Sequence, residues 1–345
     1  MKFVAVFKGF LEVRSRRHPT NNVRNRSLRW LFLAAGLLLA VSARAENYPT
    51  RIIKAYIPFG AGSATDVVPR LFFDRLAAEL GQPIVVENRV GAGGTVGTAA
   101  VARAEPDGYS ILAHSSAIAI APAIFPDLTF DATKDLSSVL MIGDSANVMI
   151  TSPNKPWKTV QEFIGAAKVK DAKINFGSVG IGTATHISGE KFRLAAGVEA
   201  THVPYRGGAE VITDIIGGRI DFYFCPLSTA LPLIKEGQVR ALVVSTPKRV
   251  AELPDVPTPA EAGLTNADSS IWFGIFVPSK TPREIVDKLY TAGMKVLANT
   301  EMQASLKKLG VEPWSPPMTP ADMDALLIKQ TADGAALVKA AGIRQ

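Results

Sequence analysis

Two glycine-rich turns carry residue types suited to holding an anion with main-chain groups. The first reads Pro58-Phe59-Gly60-Ala61-Gly62-Ser63-Ala64-Thr65-Asp66. The second reads Gly177-Ser178-Val179-Gly180-Ile181-Gly182-Thr183-Ala184-Thr185-His186. Each lies between an apolar strand pattern and a helical one. Glycine lets the main chain approach a ligand and adopt positive φ. The helix that follows begins with unpaired N–H groups at the positive end of its dipole, which suits a carboxylate. The competing reading is two ordinary tight turns, with Thr65 or Asp66 and Thr183 or Thr185 as N-caps. One turn alone favours that reading; two matched turns make the readings level. Asp66, at the start of a helix, is expected to hold its turn rather than to act as an acid or base.

Other chemistries fit less well. Gly91-Ala92-Gly93-Gly94-Thr95-Val96-Gly97 resembles a dinucleotide-binding turn. Val96 stands where the third glycine of that fingerprint belongs, and the turn follows a second strand rather than a first. There is no G-x-S-x-G elbow. His114 and Ser115 are neighbours on a strand and point to opposite faces. Cys225 paired with His186 or His202 is imaginable as a thiol site, but a small residue at a strand end is the simpler account. The histidines show no zinc spacing, and one cysteine excludes an internal disulfide.

The elements that must position the turns alternate in type. Ile52 to Ile57 reads as a buried strand, Val67 to Leu80 as a helix stopped by Gly81, and Pro83 to Val86 as a strand. Thr95 to Ala104 reads as a helix and Tyr109 to Ala113 as a third strand. This order implies a parallel sheet with helices on both faces. After Pro153-Asn154-Lys155-Pro156 the pattern restarts. Helices are expected over Val160 to Val169, Thr185 to Ala196 and Ala209 to Ile216. Strands are expected over Lys173 to Phe176, His202 to Tyr205, Ile220 to Phe224 and Val239 to Val244. Ile271 to Pro278 can carry the chain back to the first unit, leaving helices in 282–345.

The N-terminal end reads as an export signal. Residues 1–45 hold nine basic residues and one acid, then a run of 12 apolar residues from Trp30 to Val41, then Ser42-Ala43-Arg44-Ala45. The run is short of the roughly 20 residues that span a bilayer, so cleavage after Ala45 is expected. The general export route is preferred over the twin-arginine route despite Arg16-Arg17. Removing residues 1–45 changes the balance from 38 basic and 31 acidic residues, net +7, to 29 and 30, net −1. The basic excess is therefore no argument for nucleic acid or membrane binding.

Several segments in this order resemble the extracytoplasmic solute receptors of tripartite tricarboxylate transporters, the Bug family. They include Glu87-Asn88-Arg89-x-Gly91-Ala92-Gly93-Gly94, Pro106-Asp107-Gly108-Tyr109, Val203-Pro204-Tyr205-Arg206-Gly207-Gly208 and Trp272-x-Gly274-x-x-x-Pro278, with both glycine turns. The resemblance covers essentially the whole chain after residue 45. It implies an α/β, two-lobed periplasmic-binding-protein-like (type II) fold, with mixed, mostly parallel sheets flanked by helices. Residues 46–148 plus 272–345 are expected as one lobe and 149–271 as the other, with a ligand cleft between them. It implies ligand contacts from Phe59, Gly60, Ala61, Gly62, Ser63, Ala64, Thr65, Asp66, Ser115, Ser178, Gly182, Thr183, Ala184, His186, Tyr205 and Cys225.

Ser63, Ile118, Ala121 and Cys225 depart from residues common in the family. They are expected to make the pocket less polar, leaning toward an aromatic or less polar carboxylate over an amino-dicarboxylate. The expected role is a periplasmic, non-catalytic binding protein that takes a small organic carboxylate, with aromatic acids and dicarboxylates as candidates. It would deliver that ligand to the membrane permease subunits of a tripartite tricarboxylate-type transporter. It calls for no cofactor, metal or nucleic acid, and a monomer is expected. A ligand sensor and an exported enzyme are the alternatives.

Overall fold

Ile53–Ile57 forms the first strand, β1, because Ile53, Ala55, Tyr56 and Ile57 are all buried in a run too short for a core helix. A computed structural model describes residues 48–343. The expected leader and its cleavage point lie outside the described residues. Helix α1 (Ala64–Leu80) follows and ends where Gly81 takes a left-handed φ of 67°. Then come β2 (Ile84–Asn88), a short 3-10 turn (Ala92–Gly94), α2 (Thr95–Ala102) and β3 (Ser110–Ser115). β2 and β3 flank β1 in parallel, as the β-α-β-α-β pattern requires.

Beyond β3 come α3 (Ala117–Ile124), α4 (Ala132–Asp135) and the long strand β4 (Leu136–Thr151). The second run of elements is α5 (Val160–Ala167), β5 (Asn175–Ser178), α6 (Ala184–Ala196), β6 (Thr201–Pro204), α7 (Gly208–Ile216), β7 (Phe222–Pro226), α8 (Leu227–Lys235) and β8 (Arg240–Val244). The chain closes with β9 (Ser270–Pro278), α9 (Arg283–Ala298), α10 (Thr300–Lys308), β10 (Val311–Glu312) and α11 (Pro320–Ala341). The strand order is β2-β1-β3-β9-β4-β7-β5-β6, with β8 and β10 also paired to β4.

β4 joins the two runs of elements. Residues 136–146 pair antiparallel with β9, and from Asn147 onward the strand pairs antiparallel with β7 and β8. The handover at Ala146 and Asn147 sits inside one continuous strand. The sheet is therefore mixed: β2-β1-β3 and β6-β5-β7 are parallel, and the middle is antiparallel.

Strand alternation splits the core. Met149, Phe222, Phe224 and Val243 join Phe163, Phe176 and Phe192 on one face of the sheet. Val148, Ile150, Tyr223, Cys225 and Val244 meet Val211 and Ile215 on the other. Near the first run of strands, Tyr56, Leu112, Trp272 and Phe276 pack with Met323 and Leu327 of α11. Both faces are covered, so these strands read as near-continuous apolar runs.

Candidate functional site

In the first turn Gly62 takes φ +80° and Ser63 caps α1. Ser63 Oγ donates to the Gly60 carbonyl at 2.7 Å and lies 3.0 Å from Thr65 Oγ1. The Gly62 amide donates to Asp66 Oδ2 at 2.9 Å. Asp66 also accepts from Arg70 at 2.8 Å and from Asn88 Nδ2 at 2.8 Å. Burial alone would raise its carboxyl, but the hydrogen bonds from Arg70, Asn88 and Gly62 together hold it below the usual range. Asp66 thus holds the turn from behind.

The second turn repeats this arrangement. Gly182 has φ +77°, and Thr183 caps α6 with φ −71° and ψ 158°, against −72° and 160° for Ser63. Thr183 Oγ1 donates to the Gly180 carbonyl at 2.7 Å and lies 3.1 Å from Thr185 Oγ1. The Gly182 amide donates to His186 Nδ1 at 3.1 Å. Gly60–Asp66 and Gly180–His186 are one structural motif used twice. With the caps occupied in this way, the amides of Ala64, Thr65, Ala184 and Thr185 find no acceptor among the described residues.

A cavity of about 580 Å³ lies between the two turns. The first turn lines it from Pro58 to Thr65, and the second with Val179, Gly180, Ile181, Thr183, Ala184 and Thr185. Val90–Gly94, Ser115, Arg206–Ala209, Ile212, Tyr223, Pro226, Thr229 and Ile271 complete the wall. The first residues or caps of five helices, α1, α2, α6, α7 and α8, therefore face one space. Their dipoles make it favourable to negative charge. Arg206 is the one charged side chain on the lining among the described residues, and no carboxylate stands there.

A larger cavity, about 810 Å³, lies against α3, α6 and α11. Its lysines and aspartates are interleaved and partly matched already. Lys329 pairs with Asp333 at 2.6 Å, and Lys191 Nζ donates to the Asp268 carbonyl at 2.8 Å. Two helix starts reach its lining, those of α3 at Ser116 and Ala117 and of α6 at Ala184, against five at the smaller one.

Of the expected contact residues, Phe59, Gly60, Ala61, Gly62, Ser63, Ala64, Thr65, Ser115, Thr183 and Ala184 line the smaller cavity. Asp66, Ser178, Gly182 and His186 stand one layer behind it. Ser178 Oγ accepts from the Gly180 amide at 3.0 Å and meets His202 Nε2 at 2.7 Å. A Cβ on Gly182 would point at Ile124 Cδ1, 2.9 Å away. Tyr205 turns aside to donate to Asp214 at 2.6 Å, and burial with that carboxylate pushes its hydroxyl up to about 12.

Cys225 also falls outside the lining. It is fully buried in the apolar layer, where burial pushes its thiol up, because its place in β7 points it into that core. Ile118 and Ala121 are likewise buried among core residues of α3. These three departures therefore do not reshape the cavity wall. The expected cap of α1, Thr65 or Asp66, is instead Ser63.

The third glycine turn is the main feature that sequence reasoning set aside. Gly91, Gly93 and Gly94 all have positive φ, and a Cβ on Gly94 would meet His114 Nε2 at 2.7 Å. Burial drives the His114 ring down to about 4, and Phe59 packs edge-on against it at 5.1 Å. Arg206 was legible only within Tyr205-Arg206-Gly207-Gly208. Among the described residues no group of His, Cys, Asp and Glu could hold a metal, and no helix is long and apolar enough to cross a membrane.

A mixed sheet with helix starts converging on one cavity defines a solute-binding receptor of the periplasmic-binding-protein fold. The family model described as tripartite tricarboxylate transporter family receptor, TctC, matches residues 68–343. Protein BugT of Bordetella pertussis is 34% identical over 259 residues, spanning 74% of this chain and 79% of that protein. The structure of Rpa4515 from R. palustris with adipate superposes with a TM-score of 0.80 at 30% identity, covering 86% of this chain and 100% of that one. MatC from Rhodopseudomonas palustris with bound malate gives 0.78 at 30% identity, covering 84% and 100%. The chain belongs to the receptor family of tripartite tricarboxylate transporters, the Bug family.

Proposed function

We propose that this chain captures a small organic carboxylate in the 580 Å³ cavity and presents it to the permease subunits of a tripartite tricarboxylate-type transporter. The observation that carries the reading is the convergence of five helix starts on a wall without a carboxylate. The amides of Ala64, Thr65, Ala184 and Thr185 grip one carboxylate, directly or through water. A ligand ammonium would find no acidic partner on the lining, so a plain mono- or dicarboxylate fits better than an amino acid. The adipate and malate in the two related structures belong to the same chemical class.

Residues 46–148 plus 272–345 and residues 149–271 act as two lobes that close on the ligand, with β4 and β9 crossing between them. The receptor works in the periplasm as a monomer after cleavage behind Ala45, and binding needs no chemical step. A thermal-shift panel of mono-, di- and aromatic carboxylates tests this reading. A ligand at 100 times its Kd should stabilise by about 2.7 kcal/mol. Stabilisation by amines or neutral solutes, with none from any carboxylate, would refute it.

A further inference from the structure

Behind the second turn a row of polar side chains runs along α6. His186 is 2% exposed and accepts the Gly182 amide through Nδ1, which leaves its proton on Nε2. That nitrogen faces Glu190 Oε1 at 3.7 Å, one helical turn on. Glu190 is 6% exposed, and its other oxygen accepts from Arg193 Nε at 2.8 Å. Arg193 in turn donates through Nη2 to the Ala341 carbonyl, at the end of α11, at 3.1 Å. The row thus links a cavity turn to a helix from the far end of the chain. The first turn has a different support: Asp66 is held by Arg70 and Asn88, both local to the first run of strands.

A purely packing role would not need this chemistry. His186 packs against a cluster of rings, stacked 3.8 Å from His202, with Phe176 6.1 Å away. Those stacks restrain the plane of the ring but leave open which nitrogen carries the proton. The Gly182 N–H and a carboxylate near Nε2 favour the same tautomer, the one in which Nδ1 receives that amide. Glu190 is that carboxylate, 3.7 Å from Nε2.

We propose that Glu190 is a positioning residue for the binding site: it fixes His186 so that the Gly182 turn presents the Ala184 and Thr185 amides to the cavity, and Arg193 anchors Glu190 on the end of α11. The affinity arm of its test rests on the carboxylate reading above; the exchange arm does not.

The variants are Glu190→Leu, which keeps bulk but accepts nothing, Glu190→Gln, which still accepts, and Arg193→Met. Amide hydrogen exchange at Gly182 is measured by NMR in the ligand-free protein, with Phe176 in β5 as an internal reference. Affinity is measured for adipate, or for the carboxylate that stabilises best in the panel. Glu190→Leu is expected to speed Gly182 exchange and weaken binding at least tenfold each, leaving Phe176 unchanged. Arg193→Met should move both the same way by at least threefold, and it serves where the Leu variant does not fold. Glu190→Gln should stay within threefold of the parent. Unchanged Gly182 exchange in the Leu and Met variants would overturn the proposal, as would faster exchange with affinity within twofold. If no carboxylate binds the parent, the proposed function fails and the exchange arm alone decides this inference.

Discussion

Asp66 and His186 hold the same place in two turns: each accepts the main-chain N–H of the glycine four residues before it, at 2.9 Å and 3.1 Å. An acid closes one turn and an imidazole the other. The shared geometry frees the following helix amides toward the cavity, and the different chemistry gives each turn its own sensitivity to substitution and pH.

Asp66→Ala removes the acceptor for Gly62, Arg70 and Asn88 at once. Losing hydrogen bonds to this buried, charged acceptor is expected to cost about 1.5–3 kcal/mol, read as a lower urea midpoint, with weaker carboxylate binding. Asp66→Asn keeps an oxygen for Gly62 but turns an NH2 toward Arg70, so it should recover part of that loss. The native carboxyl is held low, so its contribution is present above its unfolded pKa and lost as pH falls through the lower folded value.

Burial drives His114 from 6.5 down to about 4, and burial with the adjacent His186 drives His202 down to about 3. The unfolded chain binds these protons first, so stability should fall as pH drops from about 6.5 toward 4. Each ring can contribute a slope approaching 1.4 kcal/mol per pH unit, roughly, in that window. Urea unfolding at pH 7, 6 and 5 measures it. His114→Gln should flatten the slope if the variant folds, and an unchanged slope would contradict the assignment.

Glycines in these turns separate folding from binding. Gly182 has φ +77° and no room beside Ile124, so Gly182→Ala should cost about 1–3 kcal/mol of stability. Gly208 has an ordinary φ, and a Cβ there would face Tyr223 Oη at 3.8 Å in the cavity. Gly208→Leu should therefore keep the melting temperature close to the parent's. It should weaken carboxylate binding at least tenfold, about 1.4 kcal/mol.

The turns were legible from their glycines, and β1 and the return strand β9 because each is a short apolar run ended by proline. β4 was not read, since a run buried on both faces, Val139-Leu140-Met141-Ile142, gives neither helical nor strand period. α3 escaped for the same reason: Ala117 to Ile124 is apolar all round and contains Pro122. The cavity wall formed by the first turn was readable from position after a strand. Which residues stand behind that wall was not, because Ser178 meets His202 only through the pairing of β5 with β6, and Gly182 meets His186 only in the folded turn with Gly182 at positive φ. Cys225 was placed at the cleft by analogy, while the pleat of β7 puts it in the core.

The most direct measurement is a crystal structure with the carboxylate that stabilises the protein best. Its oxygens are expected in the smaller cavity, about 2.7–3.2 Å from the amides of Ala64 or Thr65 and of Ala184 or Thr185, or one water removed from them. A carboxylate lodged instead in the 810 Å³ cavity beside Lys191 and Lys329 would contradict it.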